Sequence, residues 1–169
     1  NAKSVHSLDG NIEFANVNFS YGKNVPVLKE IRLKIKPKQV IALVGRSGSG
    51  KSTIAKLLLR NYNLTDGKIL VDGKNIQDYK IADYKKRIAV VSQNVEIFNR
   101  TVLENILFAN PKATKQQALT AAKKAYAHDF IKEFPQGYNT IVGEKGIRLS
   151  GGQKQRLSIA RALLLDPDI

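Results

Sequence analysis

The run Gly45-Arg46-Ser47-Gly48-Ser49-Gly50-Lys51-Ser52-Thr53 constrains this chain more than any other feature. It fits G-x-x-x-x-G-K-[S/T], a pattern in which small residues let backbone N–H groups wrap closely around an anion. Ahead of it, Val40 to Val44 is an apolar run of buried-strand length. After it, Ile54, Leu57 and Leu58 sit at helical spacing and predict a helix from about Lys51 to Asn61. Strand, glycine-rich loop and helix in that order are the context a phosphate-binding loop requires. Gly45, Gly48 and Gly50 supply the wrap, and Lys51 is expected to reach the β- and γ-phosphates. The Ser52 hydroxyl is the expected Mg²⁺ ligand, and the amides of Ser52 and Thr53 are expected to meet phosphate. The whole run from Gly45 to Thr53, Arg46, Ser47 and Ser49 included, is the candidate binding segment for ATP and Mg²⁺.

A second glycine-rich stretch, Leu149-Ser150-Gly151-Gly152-Gln153, follows about 100 residues later. Ser150 is placed to cap a helix over Lys154 to Leu165, so the amides after it lie at a positive helix end. That is a second anion site with no lysine of its own. Two such sites so far apart in one short chain suggest that one serves a partner's nucleotide.

A length of 169 residues suits one domain with a real core. Cysteine is absent, which excludes disulfides and thiolate metal sites and fits a reducing compartment. Methionine is absent too, so the chain reads as a piece of something longer. No apolar run approaches the roughly 18 residues of a membrane span. The net charge of +14 raises the question of nucleic acid. Arg32, Lys34 and Lys36, however, alternate with Leu33 and Ile35 on the wet face of an expected strand. The remaining basic residues form no stripe and carry no aromatic interleaving, so no nucleic-acid partner is expected.

Residues 1–10 lack periodicity and read as a tail or linker. Strands are expected around Ile12, Phe14 and Val17 to Phe19, and over Val27 to Ile35, with a turn at Tyr21 to Asn24. Asp66-Gly67 and Asp72-Gly73 flank a short hairpin strand over Lys68 to Val71, and Ile88 to Val91 reads as another buried strand ending at Ser92-Gln93. From about 94 to 148 the character is helical. Thr101 and Glu104 stand at capping-box distance, Thr114 to Ala127 is amphipathic, and Asp129 to Phe134 is a short helix stopped by Pro135. The fold class is α/β: a P-loop NTPase core with an antiparallel β subdomain and a helical subdomain within 11–169.

With both phosphate motifs in place, the chain from about Asp9 onward resembles the nucleotide-binding domain of an exporter-type ABC transporter. The resemblance implies that Tyr21 stacks on adenine and that Gln93 senses Mg²⁺ and the attacking water. It implies that Thr140-Ile141-Val142-Gly143-Glu144-Lys145-Gly146 and the loop at Gln93 touch a transmembrane domain. Ser150, Gly151, Gly152 and Gln153 would complete, in trans, the ATP site of a second nucleotide-binding domain in a head-to-tail dimer. Within the exporters, Ile41 to Ala55, Val91 to Val95 with Phe98-Asn99, and Ala125 to Ile131 look like the bacterial lipid A flippases. This implies an ATP hydrolase coupled to lipid transport at the cytoplasmic face of the inner membrane. A soluble ABC-type ATPase of DNA repair or chromosome organisation would need long coiled coils between the two motifs. An importer subunit fits the stretch from Thr140 to Gly146 less well.

One departure from the family pattern stands out. Leu163-Leu164-Leu165-Asp166 imitates a Walker B strand, yet Leu157, Ala160 and Leu164 put it on a helix and Pro167 stands where the catalytic glutamate belongs. By resemblance the true strand begins at Ile169, so the Mg²⁺ aspartate and catalytic glutamate are outside these residues. Neither His6 nor His128 is placed to act as the family's switch histidine. Without that central strand, Val40 to Val44 and Ile88 to Val91 are expected to expose apolar surface, and residues 1–169 alone are not expected to hydrolyse ATP.

Overall fold

The computed structural model describes residues 2–22 and 25–169. The expected turn at Tyr21 to Asn24 falls in part on Lys23 and Asn24, outside the described residues. The chain divides into two compact units, residues 1–88 with 168–169, and residues 89–167. Among the described residues no helix is long and apolar enough to cross a membrane.

The first unit is built on a four-stranded antiparallel sheet. Its strands are β1 (Ile12–Ser20), β2 (Pro26–Ile35), β3 (Asp66–Val71) and β4 (Lys74–Asn75), in the order β2-β1-β3-β4. Helix α1 spans Lys51–Leu58 and α2 spans Ile81–Lys85. In β1 the buried residues are Ile12 and Phe14, then Val17 and Phe19, so the inward parity changes midway. A bulge causes it: the register shifts after Phe14, and Asn16 takes a left-handed φ of 49°. Gly67 lies against the Asn16 carbonyl, where any Cβ would clash. Arg32 and Lys34 on β2 and Lys36 just after it are exposed as expected, with Lys34 paired to Glu13 at 3.0 Å and Arg32 bonded to the Asn16 side chain.

Residues 2–10, expected as a tail, pack against this unit. Val5 and Leu8 are buried, and the Leu8 N–H donates to the Asp168 carboxylate at 2.8 Å. The Asp168 and Ile169 amides in turn donate to the Arg87 carbonyl at 2.8 and 3.0 Å.

Two expected strands are corrected. Val40 to Val44 and Ile88 to Val91 belong to no ladder among the described residues, and Val40 and Val44 are 94% and 91% exposed. An apolar run becomes a buried strand only when neighbours pair with its edges, and the sheet pairs β1 to β4 alone. Ile88 is buried, while Val90 and Val91 are exposed. Helix α1 also stops sooner than the expected Asn61, because Arg60 adopts a left-handed φ of 55° and its guanidinium donates to the Tyr79 carbonyl at 2.7 Å.

The second unit is helical, with α3 (Val102–Leu107), α4 (Lys115–Lys124), α5 (His128–Lys132) and α6 (Gly151–Leu164). Val102, Ile106, Ala118, Ala122, Ile131, Val142, Leu157 and Ala160 form its core, so the helical packing runs past residue 148 into α6. Thr101, Thr114 and Ser150 each cap their helix through a reciprocal box with Glu104, Gln117 and Gln153. The hydrogen bonds from Thr101 hold the Glu104 carboxyl below its ordinary pKa. A carboxylate with a lowered folded pKa contributes stability above its unfolded pKa and loses that contribution as pH falls through the folded value. Thr101→Ala is therefore expected to destabilise this unit at neutral pH. Urea unfolding of this chain at a series of pH values checks it: the penalty should shrink in acid, and an unchanged penalty would exclude the carboxylate from the cap.

Candidate nucleotide-binding site

The glycine-rich loop enters α1 through Gly50, which sits at a left-handed φ of 88° with no side chain capping the helix. A Cβ there would stand 2.5 Å from Leu28 Cδ2, so only glycine lets the loop lie this close to β2. The amides of Gly48, Gly50, Lys51 and Ser52 donate to no protein acceptor among the described residues, and the first turn of α1 holds no acidic residue. Unpaired N–H groups at the positive end of a helix, without a competing carboxylate, form an anion cradle. Thr53 departs from the expectation. Its N–H donates to the Gly50 carbonyl at 3.0 Å, closing the first helical turn, and the residue is buried.

Lys51 Nζ donates to the Gly45 and Arg46 carbonyls at 2.8 and 2.7 Å and lies 3.3 Å from Ser49 Oγ. The ammonium thus ties the loop to the start of its own helix. Ser52 is exposed, and its hydroxyl makes no hydrogen bond among the described residues. A cleft of about 580 Å³ is lined by Tyr21, Val27 and the run from Ser47 to Thr53, while Gly45 and Arg46 do not line it.

Tyr21 is half exposed beside this loop. Its hydroxyl shares a hydrogen bond of 3.1 Å with Thr53 Oγ1, and Lys56 Nζ lies 5.7 Å from its ring centroid. Phe19 and Tyr62 meet it edge-on, with centroids 4.8 and 5.1 Å away. The sequence reading missed Val27, which lines the cleft, and Tyr62, which packs on the Tyr21 ring, because both placements come from the tertiary fold. The first unit thus brings Tyr21 and the loop residues Ser47 to Thr53 into one cleft.

The remaining candidates lie in the second unit. Ser150 caps α6, accepting from the Gln153 N–H at 3.2 Å, while Gln153 Oε1 accepts the Ser150 N–H at 2.8 Å. Gly151 and Gly152 are exposed with amides unbonded among the described residues, and the first turn again holds no acidic residue. Gln153, read only as part of the signature, is therefore also a cap; its S-x-x-Q spacing was the available signal. Gln93 is exposed in the loop after Val91. In the stretch from Thr140 to Gly146, Val142 is buried while Ile141 and Glu144 are exposed. Leu163 to Leu165 end α6 as expected for a helical run, and Asp166 follows, exposed, at a left-handed φ of 50°. His128 Nδ1 is held at 2.9 Å from the Tyr138 hydroxyl.

The model of the ABC transporter family matches residues 28–169. An ATP-dependent lipid A-core flippase of Escherichia coli (strain K12) is 50% identical over 162 residues, which cover 95% of this chain and 28% of that protein. The flippase of Shigella flexneri matches to the same extent. Among solved structures, a bacterial Atm1-family ABC exporter with ATP bound superposes with a TM-score of 0.93 at 39% identity, covering 99% of this chain and 29% of that one. The chain spans 28% of the length of the curated relatives it matches. The expected fold class holds in this comparison: the architecture is that of an ABC ATPase, antiparallel sheet and helices included.

Proposed function

The chain belongs to the ABC transporter family, and on that footing we propose that it is the ATP-binding module of a bacterial lipid exporter. Binding and hydrolysis of ATP would be coupled to movement of a lipid or other hydrophobic substrate across the inner membrane. The observation that carries this reading is the cleft in which the unpaired amides of Gly48, Gly50, Lys51 and Ser52 and the ring of Tyr21 lie together. Half-identity to lipid A-core flippases supports the substrate class.

In this reading Lys51 exchanges its bonds to the loop carbonyls for the β- and γ-phosphates. Tyr21 presents its ring to the adenine, and Ser47 to Thr53, which line the cleft, enclose the phosphate chain. Mg²⁺ suits the oxygen donor that the exposed Ser52 hydroxyl offers, and when bound it would neutralise phosphate charge. Gln93 serves as the sensing residue, and the catalytic glutamate comes from outside these residues. Ser150 to Gln153 serve the nucleotide held by a second copy. Gln93 and the stretch from Thr140 to Gly146 face a transmembrane domain, with the module on the cytoplasmic side.

Tyr21 supplies the test. Stacking depends on the ring, so Tyr21→Phe should bind a fluorescent ATP analogue within about twofold of wild type, and Tyr21→Ala should weaken binding by about fivefold or more. Equal binding by all three proteins in titrations of this chain would remove Tyr21 from the site.

A further inference from the structure

Asn105 is the one asparagine among the fully buried residues described, and it lies on the apolar face of α3 between Val102 and Ile106. Its hydrogen-bonding capacity is fully used. The side-chain oxygen accepts the Phe98 N–H at 2.9 Å and an Arg161 Nη2–H at 2.6 Å. The side-chain NH₂ donates to the carbonyls of Phe98 at 2.9 Å and Thr101 at 3.0 Å, with Arg100 at 3.4 Å. Arg161, on α6, donates from Nε to the Asn105 carbonyl at 2.6 Å and from Nη1 to the Glu96 carbonyl. Its guanidinium lies 5.5 Å from the Phe98 ring centroid.

This is a costly arrangement for packing alone. The core face of α6 is made by Leu157, Ala160 and Leu164, whereas Arg161 brings a charge into a partly desolvated site. Burial lowers its pKa from the ordinary guanidinium value, with the Glu96 carboxylate opposing, yet a guanidinium stays charged. A charge so placed must be hydrogen-bonded, and here every partner belongs to the segment from Glu96 to Thr101 or to Asn105, which holds that segment. Gln93 precedes Glu96 by three residues, a tether of at most about 10 Å. Ser92 and Asn94, on either side of Gln93, line the same cleft of about 360 Å³ as Glu96, Phe98, Ser158 and Arg161.

We propose that Arg161 and Asn105 are positioning residues that clamp the loop following Gln93 onto the helix beginning at Ser150, so that loop and helix move as one body when nucleotide engages either. The proposal rests on the reading of Gln93 and Ser150 as parts of ATP sites. A lysine at 161 keeps the charge but lacks the planar fork that reaches Asn105 and Glu96 at once. An aspartate at 105 keeps both acceptor positions and loses the donors to Phe98 and Thr101.

The test compares Arg161→Lys and Asn105→Asp with wild type in the intact protein that carries this chain. Both variants should lower kcat for ATP hydrolysis at least about tenfold, since misplacement by an ångström costs up to about 10² in rate. KM for ATP and the affinity for a fluorescent ATP analogue should stay within about twofold. Hydrogen exchange should quicken over residues 94–101 and remain unchanged in α4 and α5. An unaltered kcat in either folded variant overturns the clamp, as does a kcat loss accompanied by faster exchange throughout α4 and α5. A wild-type protein without ATPase activity overturns the underlying reading and the clamp together, whereas an active wild type with indifferent variants overturns the clamp alone.

Discussion

Ser150→Arg is expected to lower ATP turnover of the intact protein by at least about 10²-fold, the scale of losing groups aimed at transition-state charge, while nucleotide binding in the Lys51 cleft stays within about twofold. Ser150 stands exposed at the positive end of α6, with the unbonded amides of Gly151 and Gly152 beside it. Arginine removes the cap and fills the space before those amides. Loss of a cap alone costs only about 0.5–2 kcal/mol of stability, so the fold should survive. Ser150→Asp separates the two roles. Aspartate caps a helix as well as serine does, but its carboxylate repels phosphate. It should therefore keep the melting temperature of wild type and lose turnover almost as completely as arginine. Full turnover in Ser150→Asp would reduce Ser150 to a cap.

Lys51→Ala is expected to weaken Mg²⁺·ATP binding to this chain at least about tenfold, since charge-assisted hydrogen bonds in a partly desolvated site contribute roughly 1.5–3 kcal/mol each. The gain is tempered by what the ammonium gives up. Nζ holds the carbonyls of Gly45 and Arg46, and in the proposed site those bonds would exchange for bonds to phosphate. Alanine also releases the loop from the helix start. Part of the lost affinity should then appear as faster hydrogen exchange from Gly45 to Ser49 without ligand. Titration of both proteins with a fluorescent ATP analogue measures the first effect, and equal affinities would remove Lys51 from the site.

The path of the glycine-rich loop was legible because only glycine allows the backbone conformation and close approach at Gly50. The caps at Thr101 and Ser150 were legible because capping needs an acceptor at a fixed spacing. The parity change in β1 was hidden, since the bulge at Asn16 has no composition of its own. Val40 to Val44 and Ile88 to Val91 misled for a different reason. An apolar run reports a tendency to be buried, but a strand also needs a paired neighbour, and the ladders of β1 to β4 do not extend to either. Asn105 and Arg161 left a faint trace, a polar residue on the apolar stripe of α3 and a cation near the end of α6. Their partners are backbone carbonyls, which no side-chain pattern announces.

An equimolar mixture of intact Lys51→Ala and Ser150→Arg proteins, co-assembled, reports whether the proposed ATP site is composite, with Lys51 from one copy and Ser150 from another. In a mixed pair, both defects fall on one composite site and the other receives an intact Lys51 and an intact Ser150. The mixture should hydrolyse ATP well above the rate of either variant alone. If each chain instead built its site from its own Lys51 and Ser150, every site in the mixture would carry a defect. A mixture as inactive as its two components would contradict the composite site.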